Sequence, residues 1–324
     1  MREQSFTHEE MLALSRLRAG FLDGTNAGGG YWQNETDLAL YDATFAERIG
    51  WKWDAVLAEL SARGWKPRAR HVYDFGCGSG VAGRRVLGAL ENIESLALAD
   101  VSPMAVRFAE AKVRAQFPQV QLRSASETMQ PGSLLLVSHV LNELNAAARA
   151  RLIALARQAD EIIWVEAGTH ADSRSLIAVR EELRGAFVVV APCTHAEKCG
   201  MLTPGNERHW CHHFGHVPSE ASQDAHWSQF SRDLGIDLTT LPYSFLVLSR
   251  NGGGLAPGAT RIIGRPREAK GRMEILACDA GGVNELTLQK RDEPAFFKSL
   301  KKGTAPSVQR WNVDAGKIRV PNHE

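Results

Sequence analysis

The sequence lacks any long apolar run, and no segment approaches the roughly 20 consecutive apolar residues that a membrane-spanning helix needs. The first ten residues lack an apolar core and include three glutamates, so we expect neither a secretory signal nor an organellar targeting peptide. These absences predict a cytoplasmic protein without a membrane partner. Structural disulfides are rare in that reducing compartment, so the five cysteines need another explanation.

The chain also lacks a strong excess of charge of either sign, with a formal net charge of +1 over 324 residues. It therefore gives no sign of a DNA partner. The charge is uneven, because residues 261–324 contain 13 lysines and arginines against 8 acidic residues. The C-terminal part is thus a modestly basic module on a mildly acidic body. An ordinary solvated surface is the simpler interpretation of charge alone.

Short apolar runs alternate with amphipathic runs of helical length in the middle of the chain, and a helix also opens at Ser102-Pro103. The alternation predicts an α/β fold with a parallel, doubly wound sheet. The predicted strands are 71–75, 96–99, 120–122, 134–137, 162–165, 187–190 and 245–248, and the predicted helices are 81–90, 145–158 and 173–184.

This pattern divides the chain into three parts. Residues 1–66 are predicted to form a helical N-terminal extension, and residues 67–250 the Rossmann-like domain. A Cys/His-rich insert without periodicity interrupts that domain at 191–218. Residues 255–324 are predicted to form a small, basic β module with strands at 261–263, 273–277 and 285–289.

A glycine-rich run, DFGCGSG at residues 74–80, follows the first predicted strand. Its three glycines leave room for a ligand against the backbone, and the helix that begins near Val81 adds unpaired amide donors. The run is not a P-loop, because no Gly-Lys-Ser/Thr follows it. Asp100 ends the second strand, where a carboxylate can accept both ribose hydroxyls of an adenosine ligand.

The order of strand, glycine run, helix, strand and aspartate resembles that of the class I S-adenosylmethionine-dependent methyltransferases, and it favours S-adenosylmethionine over NAD. The alternative is a degenerate fold that keeps the glycines for packing and binds nothing. Residues 124–127 lack the acidic-small pair of many relatives, which leaves the adenine contacts open. The predicted cofactor-binding residues are Asp74, Gly76, Cys77, Gly78, Gly80, Asp100 and Val101.

The segment after the fourth strand, SHVLNEL at residues 138–144, lacks two known methyltransferase motifs. It has neither the Asn/Asp-Pro-Pro-aromatic motif of amino-methylating enzymes nor the Pro-Cys pair of cytosine methyltransferases. His139 and Glu143 are candidate catalytic bases, and Asn142 is a candidate for orienting a substrate. Capping of the next helix explains them equally well. Because methyl transfer depends mainly on positioning, these absences leave catalysis open.

Three of the five cysteines, Cys193, Cys199 and Cys211, lie within about twenty residues of one another beside several histidines. In a reducing compartment this clustering favours a metal site, and the lack of a C-x-x-C spacing disfavours a zinc ribbon. Cys278 lies at the end of a strand in the β module. Together, four thiolates can hold an iron–sulfur cluster or a tetrahedral zinc. Buried free cysteines are the alternative, and it is strongest for Cys278.

Several segments together resemble one family, the methyltransferase-like assembly factors of the small ribosomal subunit. That family includes the mitochondrial methyltransferase-like protein seventeen and bacterial relatives. The resemblance spans roughly residues 30–290. Its landmarks are VLNEL at 140–144, VEAGT at 165–169, APCTH at 191–195, WCH at 210–212, YSFLVL at 243–248, RII at 261–263 and KGR at 270–272.

The resemblance implies a four-iron, four-sulfur cluster held by Cys193, Cys199, Cys211 and Cys278. It also implies binding to the rRNA of the immature small subunit, with the protein monomeric away from the ribosome. Gly200, where the family pattern has proline, and the doubled His212-His213 are departures that remove no ligand. The residues expected to contact RNA phosphates are Arg261, Arg265, Arg267, Lys270 and Arg272.

Two other functions fit the same residues. The first is an active methyltransferase on rRNA or another substrate, with a purely structural metal site. The second is a zinc-binding protein-interaction factor on a degenerate methyltransferase fold. The glycine run predicts that the protein binds the cofactor, and it leaves open whether a methyl group is transferred.

Overall fold

The computed structural model describes residues 5–23, 31–255 and 257–319, so the outermost residues of the predicted extension and β module lie outside the described residues. The chain folds as two compact units. The first comprises Met1–Glu166 and Gly215–Pro242, and the second comprises Ala167–Phe214 and Tyr243–Glu324. Among the described residues, no helix has the length and apolar character to cross a bilayer.

The first unit is an α/β unit whose elements are numbered here in chain order. Its strands are β1 (His71–Phe75), β2 (Ser95–Ala99), β3 (Gln121–Ser124), β4 (Ser133–Ser138) and β5 (Glu161–Ala167). Its helices are α1 (His8–Asp23), α2 (Glu35–Ala43), α3 (Phe45–Ala62), α4 (Val81–Ala89), α5 (Pro103–Gln116), α6 (Ala146–Ala156), α8 (Ser219–Gln223) and α9 (Ala225–Leu234).

The strands of this unit form a parallel sheet in the order β3-β2-β1-β4-β5. Four consecutive residues of β4, 134–137, are fully buried, as expected of an interior strand covered on both faces. The order reverses between β1 and β4, and ligands of doubly wound folds bind at the carboxyl ends of the strands at such a point. The sheet confirms the predicted Rossmann-like, class I methyltransferase fold.

The helical N-terminal extension is part of the first unit's core. At its start, Thr7 and Glu10 form a reciprocal capping box: each backbone N–H donates to the other's side chain, at 2.8 Å and 3.2 Å. Side chains of α1 pack with Trp51 of α3 and with Trp227 and Phe230 of α9. The chain breaks at Thr44, which separates α2 from α3 within the predicted helical extension.

The second unit combines a small α/β part with a β module. The former comprises α7 (His170–Leu183), β6 (Val188–Ala191), a 3-10 turn (Gly200–Leu202), β7 (His213–Phe214) and β8 (Pro242–Ser249). The β module comprises β9 (Thr260–Ala269), β10 (Arg272–Asp279), β11 (Gly282–Gln289), α10 (Pro294–Lys302), β12 (Val308–Gln309), β13 (Asn312–Asp314) and β14 (Lys317–Arg319).

Two features of this unit differ from the sequence prediction. β6 and β8 pair antiparallel, so the predicted parallel arrangement does not extend to these two strands. Strand direction is set by the connection, and an apolar run has no direction of its own. The β module exists as predicted but is larger, and its described residues form six strands in the order β12-β9-β10-β11-β14-β13. Phe297 and Leu300 of α10 pack on its apolar face.

Candidate cofactor cavity and cysteine site

The glycine run forms a tight loop between β1 and α4. Gly76, Gly78 and Gly80 all have positive φ, at 67°, 51° and 80°. A side chain at Gly76 would place its Cβ 2.5 Å from Cγ1 of Val140, so the position requires glycine for space as well as for conformation. The backbone amides of Gly76 and Cys77 both donate to the carbonyl of Ala99, at 2.8 and 3.0 Å, which joins the loop to β2.

One buried and one partly buried aspartate support the loop. Oδ2 of Asp100 accepts a hydrogen bond from the Gly78 amide, and its Oδ1 accepts one from the Ser102 amide, both at 2.9 Å. Asp74 is fully buried, and its Oδ2 accepts a hydrogen bond from the Gly83 amide at 3.0 Å. Burial raises the pKa of Asp74 to about 7, and it also raises the pKa of Asp100.

A cavity of about 690 Å³ opens at the carboxyl ends of these strands. Four predicted cofactor residues line it, namely Gly76, Gly78, Asp100 and Val101, whereas Asp74, Cys77 and Gly80 are not in its wall. The residues whose role the sequence left open, 125–127 after β3, also line it. The volume lies within the range of about 300–1,000 Å³ that is common for small-molecule sites.

The structure brings two of the three candidate catalytic residues to this cavity. His139 and Glu143 line it, but Asn142 is exposed and is not in the wall. His139 has a positive φ of 56°, which is uncommon outside glycine. Burial, followed by the charges of Lys52 and Arg48, lowers the pKa of His139, so the imidazole is neutral at pH 7. Its Nε2 lies 3.3 Å from Nζ of Lys52.

An aromatic wall from the N-terminal extension was not recognised in the sequence. Phe21, Tyr31, Trp32 and Tyr41 line the cavity, with neighbouring ring centroids 5.1–5.7 Å apart. The Tyr31 hydroxyl donates a hydrogen bond to the Glu143 carboxylate, and burial raises the pKa of both groups. Three of the chain's four tyrosines, Tyr31, Tyr41 and Tyr73, line this cavity, but their positions in the sequence do not indicate it.

The second candidate site lies wholly in the second unit. Cys193, Cys199, Cys211 and Cys278 line one small cavity, although up to 85 residues separate them in the sequence. Burial raises the pKa of Cys199 to about 11 and raises the pKa values of Cys211 and Cys278 further. These three thiols are therefore protonated at neutral pH unless a cation lies among them.

Two buried arginines flank the four cysteines. Arg180 of α7 is 2% exposed, and its Nε donates to Sγ of Cys193 at 3.2 Å. Its Nη2 donates to the carbonyls of His195 and Glu197, at 3.2 and 2.8 Å, so it also holds the loop between the first two cysteines. Arg261 is 3% exposed and lies in the cavity wall, where its Nη2 is 3.0 Å from Nδ1 of His213.

Arg261 corrects one prediction. A buried guanidinium that packs against Phe245 and donates to the carbonyl of Pro192 is not placed to meet an RNA phosphate. The other four predicted RNA contacts are exposed, namely Arg265, Arg267, Lys270 and Arg272. Arg267 and Arg272 both pair with Glu274.

The donor set of the cysteine site is four sulfurs, which is the set of many iron–sulfur clusters and of structural zinc sites. Within the described part of the chain, no group of three or more His, Cys, Asp or Glu side chains is arranged to hold a metal ion. A metal centre is thus inferred from two features: the cavity lined by the four thiols and the two guanidinium groups beside it. An anionic, thiolate-ligated group would meet positive charge here.

No curated protein sequence matches the chain. Solved structures with a similar fold include a candidate RNA methyltransferase from Pyrococcus horikoshii, with 13% identity, 74% of this chain and 96% of that chain covered, and a TM-score of 0.39. The magnesium protoporphyrin IX methyltransferase of Synechocystis with bound SAH has 14% identity, 74% and 99% coverage and a TM-score of 0.38.

A third similar structure is an O-methyltransferase family protein from Burkholderia thailandensis, with 14% identity, 74% and 71% coverage and a TM-score of 0.41. Identities this low carry no information on substrate. The family comparison is more informative, because one family model matches residues 43–305, most of the chain and parts of both units. The chain therefore belongs to the family described as mitochondrial small ribosomal subunit Rsm22.

Proposed function

We propose that this protein assists assembly of the small ribosomal subunit by binding its rRNA, with S-adenosylmethionine in the cavity of the first unit and a four-iron, four-sulfur cluster at the four cysteines of the second. One observation carries the proposal: four cysteines that are distant in sequence line a single cavity in a chain of the Rsm22 family. The family description supports the ribosomal partner, and we propose that the protein is cytoplasmic and monomeric away from it.

The glycine loop and the acid at the end of β2 support S-adenosylmethionine as the ligand of the first unit. Gly76 and Gly78 let a ligand approach the backbone, and Asp100 offers a carboxylate to ribose hydroxyls at the same wall. When bound, the cofactor supplies an electrophilic methyl group. The chain's own contribution is to exclude water with Tyr31, Trp32 and Tyr41 and to fix the Glu143 carboxylate through the Tyr31 hydroxyl.

Cys193, Cys199, Cys211 and Cys278 would hold the cluster. When bound, the cluster ties the cysteine loops to the β module and adds an oxidation-sensitive centre. Arg180 donates to a cysteine sulfur and holds the loop carbonyls, which orients the ligands before the metal arrives. His195 and His213 lie 3.6 Å from Sγ of Cys278 and Cys211, within reach of an N–H to sulfur hydrogen bond.

Anaerobic purification tests the cluster directly. We expect brown protein with about four iron and four sulfide per chain, following the cluster's stoichiometry. Cys193→Ser and Cys278→Ser should lose the colour, whereas Cys77→Ser, at the buried cysteine of the glycine loop, should keep it. Colourless protein with one equivalent of zinc would show that the four cysteines bind zinc and not an iron–sulfur cluster. Colourless protein without metal would leave only buried thiols.

Co-sedimentation with immature small ribosomal subunits tests the ribosomal role. We expect the protein to sediment with these subunits at low salt and to release at high salt. Isothermal calorimetry with S-adenosylmethionine tests the cavity in the same preparation, with Asp100→Ala as the weakened variant. If folded protein that carries its metal and cofactor binds neither the subunit nor its rRNA, the assembly role is excluded.

Active methyl transfer is a second candidate function, favoured by the groups in the cavity wall. Glu143 and the neutral His139 both line that cavity, and side chains of these types can accept a proton from a substrate. Incubation of immature subunits with radiolabelled S-adenosylmethionine should then label rRNA, and Glu143→Gln should reduce the rate without abolishing cofactor binding. Unlabelled rRNA with tight cofactor binding would leave the cofactor a structural role.

A further inference from the structure

The segment of residues 210–214 in the second unit presents different chemistry on its two sides. Cys211 and His213 point to the cysteine site, where Cys211 lines the cavity and His213 contacts Arg261. The alternate residues Trp210, His212 and Phe214 have partly exposed rings that contact one another. This alternation is the two-residue period of extended chain, which sends successive side chains to opposite sides.

These rings form a continuous row. The Trp210 and His212 rings are stacked, with centroids 4.6 Å apart and planes inclined by 23°. His212 meets Phe214 edge-on at 5.5 Å, and the guanidinium of Arg265 lies 4.2 Å from the centroid of Phe214. At the other end, the exposed His170 ring meets Trp210 at 5.6 Å. We call these five side chains, His170, Trp210, His212, Phe214 and Arg265, the ring row.

The ring row is held in place before any ligand arrives. Nε1 of Trp210 donates to the carbonyl of Gly168 at 3.0 Å, and Nδ1 of His212 lies 3.1 Å from the carbonyl of Trp210. The amide of Gly264 donates to the carbonyl of His212 at 2.9 Å, which fixes the backbone against β9. A ligand that stacks on the rings would therefore lose little of its binding energy to ordering them.

The surrounding charge suits a polyanion. Arg265 is exposed, stacks on Phe214 and has no acidic partner among residues 5–23, 31–255 and 257–319. Arg208, two residues before Trp210, is largely exposed, donates to Nε2 of His209 and pairs with the exposed Glu285. A row of partly exposed rings with guanidinium groups at its edge is how proteins bind unpaired nucleic acid, through stacking on bases and contacts to phosphates.

We propose that the ring row binds unpaired bases of RNA by stacking; the proposal rests on the RNA-binding function proposed above and narrows its substrate to single-stranded segments. Bases inside a duplex are stacked on each other and unavailable to protein rings, so loops, bulges or ends are the sites that fit. Arg265 contributes in two ways: it stacks on Phe214, and it places a positive charge next to the RNA backbone.

The test measures the affinity of the full-length protein, with its metal content determined, for three fluorescent RNAs. They are an unstructured single strand, a duplex and an abasic single strand, all with the same number of phosphates. We expect the unstructured strand to bind about tenfold more tightly than the abasic strand. Trp210→Ala should remove this difference and leave the abasic affinity unchanged, whereas Trp210→Phe should keep most of it. Trp311→Ala, a partly buried tryptophan of the β module, is the matched control.

A measurement without a variant covers the risk that Trp210→Ala disturbs the adjacent Cys211. Photo-crosslinking of 4-thiouridine RNA to the wild-type protein should modify the peptide that contains residues 210–214. Equal binding of normal and abasic strands, or crosslinks confined to other peptides, would overturn the stacking proposal and leave RNA binding through basic side chains intact. Unchanged RNA affinity in Trp210→Ala with weaker subunit co-sedimentation would assign the row to a protein partner. If none of the three RNAs binds, both proposals fail.

Discussion

At the scale of single residues, Asp74 has a fully buried carboxyl group, and burial disfavours its ionised form. Its pKa is raised to about 7 by burial, from an ordinary value near 3.9. Between about pH 4 and pH 7 the folded protein therefore holds a proton that the unfolded chain has released. Stability falls as the pH rises through this window, and the full cost, up to about 4 kcal/mol, is present above it.

Asp74→Asn should remove this pH dependence. The amide keeps an oxygen for the Gly83 amide but cannot ionise. Thermal unfolding without added cofactor should show a midpoint several degrees above wild type at pH 8 and close to it at pH 5. Asp160→Asn, a change at a less buried aspartate that accepts from the Gly132 amide, should follow the wild-type profile. Parallel midpoints for wild type and Asp74→Asn across this range would show that Asp74 is not the cause.

Gly76 offers a second prediction at this scale, because it can be compared with Gly132. Both have positive φ, at 67° and 73°, but only Gly76 faces a neighbour, Val140 Cγ1, at 2.5 Å from an added Cβ. Gly132→Ala should cost only the conformational strain, about 1–2 kcal/mol, and keep S-adenosylmethionine affinity. Gly76→Ala should also lose affinity by about tenfold or more, because the loop must shift.

The double variant Gly76→Ala/Val140→Ala separates the two causes of that loss. Truncation of Val140 removes the atom in the way, so calorimetry should show part of the affinity restored. No recovery in the double variant would mean that backbone conformation alone makes glycine necessary at position 76.

At the scale of elements, the parts that follow from local pattern were predictable and the parts that depend on distant contacts were not. β1 begins and ends at the predicted residues, 71 and 75, because its apolar run has clear boundaries. The break at Thr44 and the burial of α9 against α1 and α3 depend on tertiary packing. The aromatic wall was missed for the same reason, since Phe21 and Tyr41 have ordinary helical spacing.

Arg261 shows the same limit within the candidate sites. A basic residue in a basic segment is usually exposed, which made an RNA contact the natural prediction. β9 instead begins with four buried residues, 260–263, and its exposed arginines start at Arg265. The clustering of three cysteines suggested a metal site, and the family resemblance implied all four as ligands; the four lie around one cavity. The arginine pair beside them had no signal in the sequence.

Helix α7 has a role that can be tested through Arg180, which it places against the loop of Cys193. Arg180→Leu should remove the contacts to the sulfur and to two loop carbonyls, so visible absorption should disappear in air about tenfold faster, as for other residues that orient metal ligands. Arg184, the residue that caps the C-terminus of α7, has a more exposed side chain, and its contact with the same loop is a long hydrogen bond of 3.5 Å to the Ala196 carbonyl. Arg184→Leu should therefore lose colour at close to the wild-type rate. Equal rates for both variants would limit Arg180 to a packing role.

At the scale of the whole molecule, a net charge of +1 means that RNA affinity must come from where the charges are placed. Arg265, Arg267, Lys270 and Arg272 project from β9, β10 and the turn between them. If all four neutralise phosphates of a single strand, the slope of log affinity against log salt approaches about −3. Glu274 already pairs with Arg267 and Arg272, so the slope should be shallower than that value.

Replacement of these four residues by alanine should therefore flatten the salt dependence and weaken binding to all RNA sequences alike, since phosphate contacts carry no sequence information. A charge-matched control is the replacement of Arg107, Arg114, Arg123 and Arg157, four exposed arginines of the first unit. Both variants lower the net charge equally, so their salt slopes differ only if RNA binds at one particular surface. If the two salt slopes fall by the same amount, RNA responds to the overall charge of the protein, and the β module is not its binding surface.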